Sequence, residues 1–146
     1  MTDDPRQLLV LTVADGRVLT ISAEAEAFVV DDTGRRLGEI SGDFTPFLVS
    51  LDGAERLVLA GVLGGGDRTA RVTVTFAHDT QTVLVARRPH AGVWMTFPTR
   101  FEPGSVVTVS GQDESGEQRW LVNSPPLSAD RLEPVFGPAW TDYASL

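Results

Sequence analysis

The chain has 146 residues, with 20 Asp and Glu against 12 positive side chains for a formal net charge of -8; every positive residue is arginine, and cysteine is absent. This length suits one domain that buries a core without covalent staples. The acid excess argues against nucleic acid, whose binding rests on neutralising phosphates, and the lack of cysteine removes disulfides, thiolate metal sites and thiol nucleophiles.

The start, Met1-Thr2-Asp3-Asp4-Pro5, is acidic where a secretory leader needs a basic one. No apolar run approaches the ~20 residues of a membrane helix. The expectation is a cytoplasmic protein that engages no membrane. Apolar residues then recur with period two, the strand signal. Thr12-Val13 and Arg17 to Ile21 flank Ala14-Asp15-Gly16, an opening hairpin. Ser22 to Phe28 could compete as helix, but so few residues hold no helix alone. A third strand is therefore expected from Ala25 to Val30, turning through Asp31-Asp32-Thr33-Gly34 into Arg35 to Ile40. Phe44 to Leu51 and Glu55 to Leu63 follow, separated by Asp52-Gly53.

Gly64-Gly65-Gly66-Asp67 is the clearest break, since three glycines stiffen neither strand nor helix. Residues 1–66 carry 11 acids and 5 arginines, and residues 67–146 carry 9 and 7, so the acidity gathers before the break. Beyond it, Arg71 to Phe76 places Val72, Val74 and Phe76 on one face and Thr73 and Thr75 on the other. Gln81 to Ala86, Gly92 to Phe97, Ser105 to Gln112 and Gln118 to Val122 continue the pattern. From Ser124 the regularity stops. Pro125, Pro126, Pro134 and Pro138 exclude central-strand pairing, while Leu132, Val135, Phe136, Trp140 and Tyr143 are too apolar for a solvated tail. These five are expected to lie buried across the body, the alternative being a partner-binding tail.

The pattern predicts one all-β domain over residues 1–146, an antiparallel β-sandwich of about eight to ten short strands with an irregular, Pro-rich C-terminal segment. Residues 1–63 supply a first set of strands, 64–67 a glycine-rich loop, 68–123 a second set, and 124–146 the irregular end. A closed antiparallel β-barrel is the alternative.

Catalytic and metal constellations are scarce. A hydrolytic triad needs a base, and the only imidazoles are His78 and His90, with no Gly-x-Ser-x-Gly elbow. His78 beside Asp79 reads as an exposed turn, the sharper alternative being an acid-base dyad. Two histidines without cysteine do not make a zinc site. Asp31-Asp32-Thr33-Gly34 and Asp113-Glu114-Ser115-Gly116 put carboxylates in turns, where calcium is one reading and backbone hydrogen bonding the other. The glycine-rich loop lacks the lysine and following helix of a phosphate loop. No catalytic residue, metal or cofactor is expected.

One window departs from the acidic background. Between Asp79 and Glu102 the chain carries Arg87, Arg88, Arg100 and His90 without any acid, beside Trp94, Met95, Phe97 and Phe101. Arginine forks with aromatic faces hold a carboxylate, a phosphate or an acidic segment. The plainer account has these cations capping strand ends while Trp94 or Met95 fills the core. Arg87, Arg88, His90, Trp94, Phe97 and Arg100 are the binding candidates, with Phe136, Trp140 and Tyr143 in the C-terminal segment.

Two stretches resemble known families. Arg71 to Phe76, Gly92 to Pro98 and Val107 to Gly116, within about residues 55–122, resemble immunoglobulin-like β-sandwich domains of high-GC Gram-positive bacteria. That likeness implies binding or architecture. Phe28 to Phe44 is similar to the early hairpin of allene-oxide-cyclase-like barrels, including bacterial spirotetronate cyclases. This second likeness implies an eight-stranded barrel folding an apolar polyene in an enclosed pocket, with Trp94, Met95, Phe97 and Trp140 as its lining. The function expected is a non-catalytic binding or interaction module whose partner is a protein or an anionic or apolar small molecule. The alternative is a small β-barrel cyclase of natural-product biosynthesis.

Overall fold

The computed structural model describes residues 6–13, 16–25, 27–64, 66–89, 91–137 and 140. The first sheet is β1 (Gln7–Thr12), β2 (Val18–Glu24), β3 (Ala27–Asp32) and β4 (Arg35–Glu39), antiparallel and in chain order. The central sheet is built on β6 (Ala54–Gly64). β5 (Thr45–Leu51) pairs along one side of it, β10 (Ala91–Met95) and β11 (Thr99–Arg100) share the other, and β9 (Ala86–Arg88) lies outside β10. The third sheet runs β13 (Gln118–Asn123), β12 (Thr108–Gln112), β7 (Arg71–Thr75), β8 (Thr80–Leu84).

β6 explains how three sheets share one body. Its residues from Leu57 onward are buried on both faces. Leu57, Leu59 and Leu63 point into a core with Val72, Val74, Phe76, Val109 and Trp120 of the third sheet. Val58, Ala60 and Val62 point into a second core with Leu19, Ile21 and Val30 of the first sheet. β10 does the same, sending Trp94 to one core and Val93 and Met95 to the other. A sheet covered on both faces needs a near-continuous apolar run, which Leu57 to Leu63 supplies. The architecture is thus an antiparallel β-sandwich with a third layer, the central sheet taking strands from both sides of the glycine-rich loop.

The barrel alternative is overturned, because the antiparallel sheets do not close on one another. β4 approaches β5 and β1 approaches β9, but no ladder joins either pair. After β4 the chain turns sharply, with Gly42 at φ 71° and the Thr45 hydroxyl accepting the Ser41 N–H and donating to its carbonyl, both at 2.7 Å. β5 leaves this turn paired to β6 rather than to β4. β9 is only three residues long, and what links it to β1 is a side chain, Arg88 Nη2 donating to the Leu8 carbonyl at 2.6 Å. Trp94 and Met95 face opposite cores and Phe97 is half exposed, so they line no common cavity.

Two expected strands divide. The run from Gln81 to Ala86 bends at Val85, where its N–H bonds the Ala70 carbonyl at 2.9 Å, giving β8 to the third sheet and β9 to the central one. The run through Phe97 stops at Met95 and resumes as β11 beyond Pro98, which has no N–H for a ladder. Ser22 to Phe28 is strand, turn and strand, with Ala25 at φ 50°.

Beyond β13 the chain still pairs with the body, Ser124 N–H bonding the Val107 carbonyl at 2.8 Å and Leu127 N–H the Ser105 carbonyl at 2.9 Å. Leu127 and Val135 are buried and Leu132 half-buried, as expected of a segment lying across the body. Phe136 is the exception at 60 % exposure, and Trp140 is only partly covered. Val135 faces Phe44 in an antiparallel bridge, so its neighbour points outward. Tyr143 lies outside the described residues.

Candidate functional site

The acid-free window does not converge on one point. Arg88 pairs across from Ala91, which faces Gly64, whereas Arg100 pairs across from Arg56. Eight residues of β6 separate those positions, roughly 27 Å at strand rise, too far for a shared anion. His90 lies outside the described residues. Trp94 is fully buried, Phe97 is half exposed, and Arg100, largely exposed, has its Nε 3.7 Å from Glu102.

The guanidinium groups of Arg87 and Arg88 are turned toward main-chain oxygens. Arg87 Nη2 donates to the Thr69 carbonyl at 2.6 Å and to the Asp67 carbonyl, and its Nη1 reaches the Gly64 carbonyl at 3.5 Å. The glycine-rich loop is thereby pinned to β9. Gly92 makes room for this, because a β-carbon there would stand 2.9 Å from Arg87 Nη1 and 2.7 Å from Val85. Arg17 works the same way elsewhere, bonding the Asp32 carboxylate and the Ser50 carbonyl and so tying β3 to β5. A planar fork of donors suits such bridging better than an ammonium.

What the pinned loop builds is a groove at one end of the sandwich, about 630 Å³ in volume. Its walls are the loop at Asp67–Ala70, the bend at Leu84–Arg87 and the turn at Asp113–Ser115. Thr69 sits fully buried in the wall, its N–H bonded to Asp67 Oδ1 at 2.7 Å and its hydroxyl accepting the Trp120 indole N–H at 2.9 Å. Leu84 stands on the rim, 74 % exposed. Volume and mixed lining fall in the range of small-ligand and peptide clefts, ~300–1,000 Å³.

Charge around the groove is of both signs. Arg68 is exposed, and Asp67, Asp113 and Glu114 bring three carboxylates. Asp113 Oδ1 accepts the Ser115 hydroxyl at 2.6 Å and the N–H groups of Ser115 and Glu117 at 3.0 Å each. The Ser115 hydroxyl above all, with the main-chain donors and Arg119 adding to it, holds the Asp113 carboxyl below its ordinary 3.8, against desolvation, which acts the other way. The turn uses its own backbone as the partner of its carboxylate, the second of the two readings for these acidic turns.

Sequence reasoning missed this groove because it arises where β8 becomes β9 and two distant loops meet. One signal was present: Leu84 falls on the face of Thr80 and Thr82, a lone large apolar residue among hydroxyls. His78 pairs with Glu102 at 2.8 Å, and Asp79 instead accepts the Thr80 N–H. Among the described residues no group of three or more His, Asp or Glu is placed to hold a metal, and no helix is long and apolar enough to cross a membrane. Comparison with models of known protein families, with curated proteins and with solved structures finds no match for the chain.

Proposed function

We propose that the chain is a non-catalytic interaction module of a bacterial protein system, immunoglobulin-like in its manner of working, that acts in the cytoplasm. It takes an extended segment of a protein partner in the end groove. The observation that carries this reading is Leu84, a large apolar side chain 74 % exposed on the rim of a 630 Å³ groove whose walls carry charge. Exposed apolar surface rimmed by polar groups marks interaction sites. Three carboxylates, Asp67, Asp113 and Glu114, against one exposed arginine, Arg68, with Arg87 already engaged by carbonyls, favour a segment with a basic side chain beside an apolar one over a free anion.

The test is amide correlation spectroscopy of the labelled protein titrated with short peptides bearing arginine or lysine beside leucine or valine, and separately with phosphate and fatty acids. The expected result is saturable shifts confined to residues 67–70, 84–87 and 113–115, abolished by Leu84→Asp and weakened by Glu114→Lys. Shifts with phosphate or fatty acids alone, or none in the groove, would overturn the reading.

A further inference from the structure

Asp43 is a carboxylate with no surface exposure, placed in the turn between β4 and β5. Its Oδ1 accepts the Gly137 N–H at 3.0 Å and the Trp140 N–H at 2.6 Å. Its own N–H donates to the Val135 carbonyl at 2.6 Å, and the Val135 N–H donates to the Phe44 carbonyl at 2.9 Å. A β-carbon at Gly42 would stand 2.4 Å from the Val135 carbonyl oxygen, and one at Gly137 would stand 2.8 Å from Asp43 Oδ2 and 3.0 Å from Val122. The last part of the described chain is therefore fastened to Asp43 and Phe44, with Gly42 leaving room for the close approach.

The part so fastened is short. Leu127 still belongs to the body through its bond to Ser105. A turn closed by Arg131 N–H on the Ser128 carbonyl at 3.0 Å then redirects the chain, and the described residues of the arm proper are 132–137 and 140. Of its apolar residues Val135 is buried and Leu132 half-buried, while Phe136 points outward and meets Trp140 edge to face at 5.7 Å. Among its described residues only Val135 is buried; main-chain bonds hold Val135 to Asp43 and Phe44, and the Asp43 carboxylate holds the residues beyond it, Gly137 and Trp140.

We propose that Asp43 is a latch: the arm opens and closes over Phe44 as a unit of its own, and the bonds from Gly137 and Trp140 to the Asp43 carboxylate set the balance. A buried carboxylate is tolerable only while hydrogen-bonded, so docking the arm supplies Asp43 with two of its donors, Gly137 and Trp140. Segments with few buried apolar contacts open below the global unfolding free energy. Opening uncovers Phe44 and converts Phe136 and Trp140 from a surface pair into parts of a free aromatic segment.

Native-state amide hydrogen exchange on the full chain tests this. In the unsubstituted protein the amides of Val135, Gly137 and Trp140 are expected to exchange together through an opening that leaves those of β6 and β10 protected. Asp43→Ala should speed the arm amides by about tenfold or more, the loss of one or two charge-assisted hydrogen bonds, without equal acceleration in β6. Gly137→Ala crowds the same contact from the arm side with Asp43 intact, and should reproduce the effect if Asp43→Ala folds poorly. Arm amides that exchange only with global unfolding, or a Gly137→Ala variant that accelerates β6 equally, would overturn the latch.

Discussion

Trp120 stands directly across the β12–β13 ladder from Gly111, and its indole occupies the space of the missing side chain: a β-carbon at residue 111 would lie 2.4 Å from the ring. The same arrangement recurs in the central sheet, where Trp94 is paired with Gly61 and a β-carbon there would lie 2.4 Å from Nε1 and 2.6 Å from the Asp43 carbonyl oxygen. Each large ring takes up space that a side chain on its cross-strand neighbour would fill, which lets two bulky residues fit within closely packed layers.

Gly111→Ala and Gly61→Ala should therefore both destabilise, by about 1–3 kcal/mol for the first through overpacking. Gly61→Ala should cost more, since one of its clashes is with main chain. Gly66→Ala, which meets nothing within 4 Å, is the control and should be near neutral. Urea denaturation followed by tryptophan fluorescence measures all three, and equal effects at positions 61 and 66 would contradict the packing account.

The two indoles differ in their polar ends. Trp120 donates to Thr69, whereas Trp94 Nε1 has no partner among the described residues. Thr69→Val removes the acceptor while keeping the volume and should destabilise by about 1–3 kcal/mol, the cost of an orphaned buried donor. Thr69→Ser should restore most of it. The measurement is again the denaturation midpoint, together with the indole N–H proton shift of Trp120.

Arg87→Lys keeps the charge at β9 but loses the fork that reaches the Asp67 and Thr69 carbonyls together. Amides in the 66–70 loop should exchange about tenfold faster or more, and peptide shifts in the groove should weaken with them. Unchanged loop exchange would show that the loop holds its form without the arginine.

The β12–β13 turn should respond to acid. Because folding lowers the Asp113 pKa below 3.8, the ionised form is favoured by the fold, so its contribution is present above that value and lost as pH falls through the folded value. Carbon shifts of the Asp113 carboxyl should titrate below 3.8, accompanied by loosening of the Ser115 and Glu117 amides. Asp113→Asn should remove that dependence, and a titration midpoint at or above 3.8 would count against the hydrogen-bond account.

Much of the strand framework was legible. Val72, Val74 and Phe76 alternate with threonines because one face of the third sheet meets a core and the other meets water, and that contrast is written locally. β6 was legible as a strand, but its apolar run carries no mark of which core each side chain enters. The candidate site was less legible. Arg87 and Arg88 stood out by composition, yet composition does not distinguish an arginine facing a ligand from one bonded to the carbonyls of its own loops.

The sequence by itself determined that this is a cysteine-free all-β protein with period-two strands, acidic turns, and a Pro-rich end that no sheet could absorb. Those follow from local chemistry: side-chain alternation, the turn preferences of Asp and Gly, and the missing N–H of proline. Only the tertiary structure decided that the sheets number three, that the arginine window is split across opposite ends of β6, that Leu84 borders a groove, and that Asp43 grips the C-terminal arm. Each of these depends on which distant residues become neighbours, and pairing across a sheet or between layers is set by the packing of the whole chain.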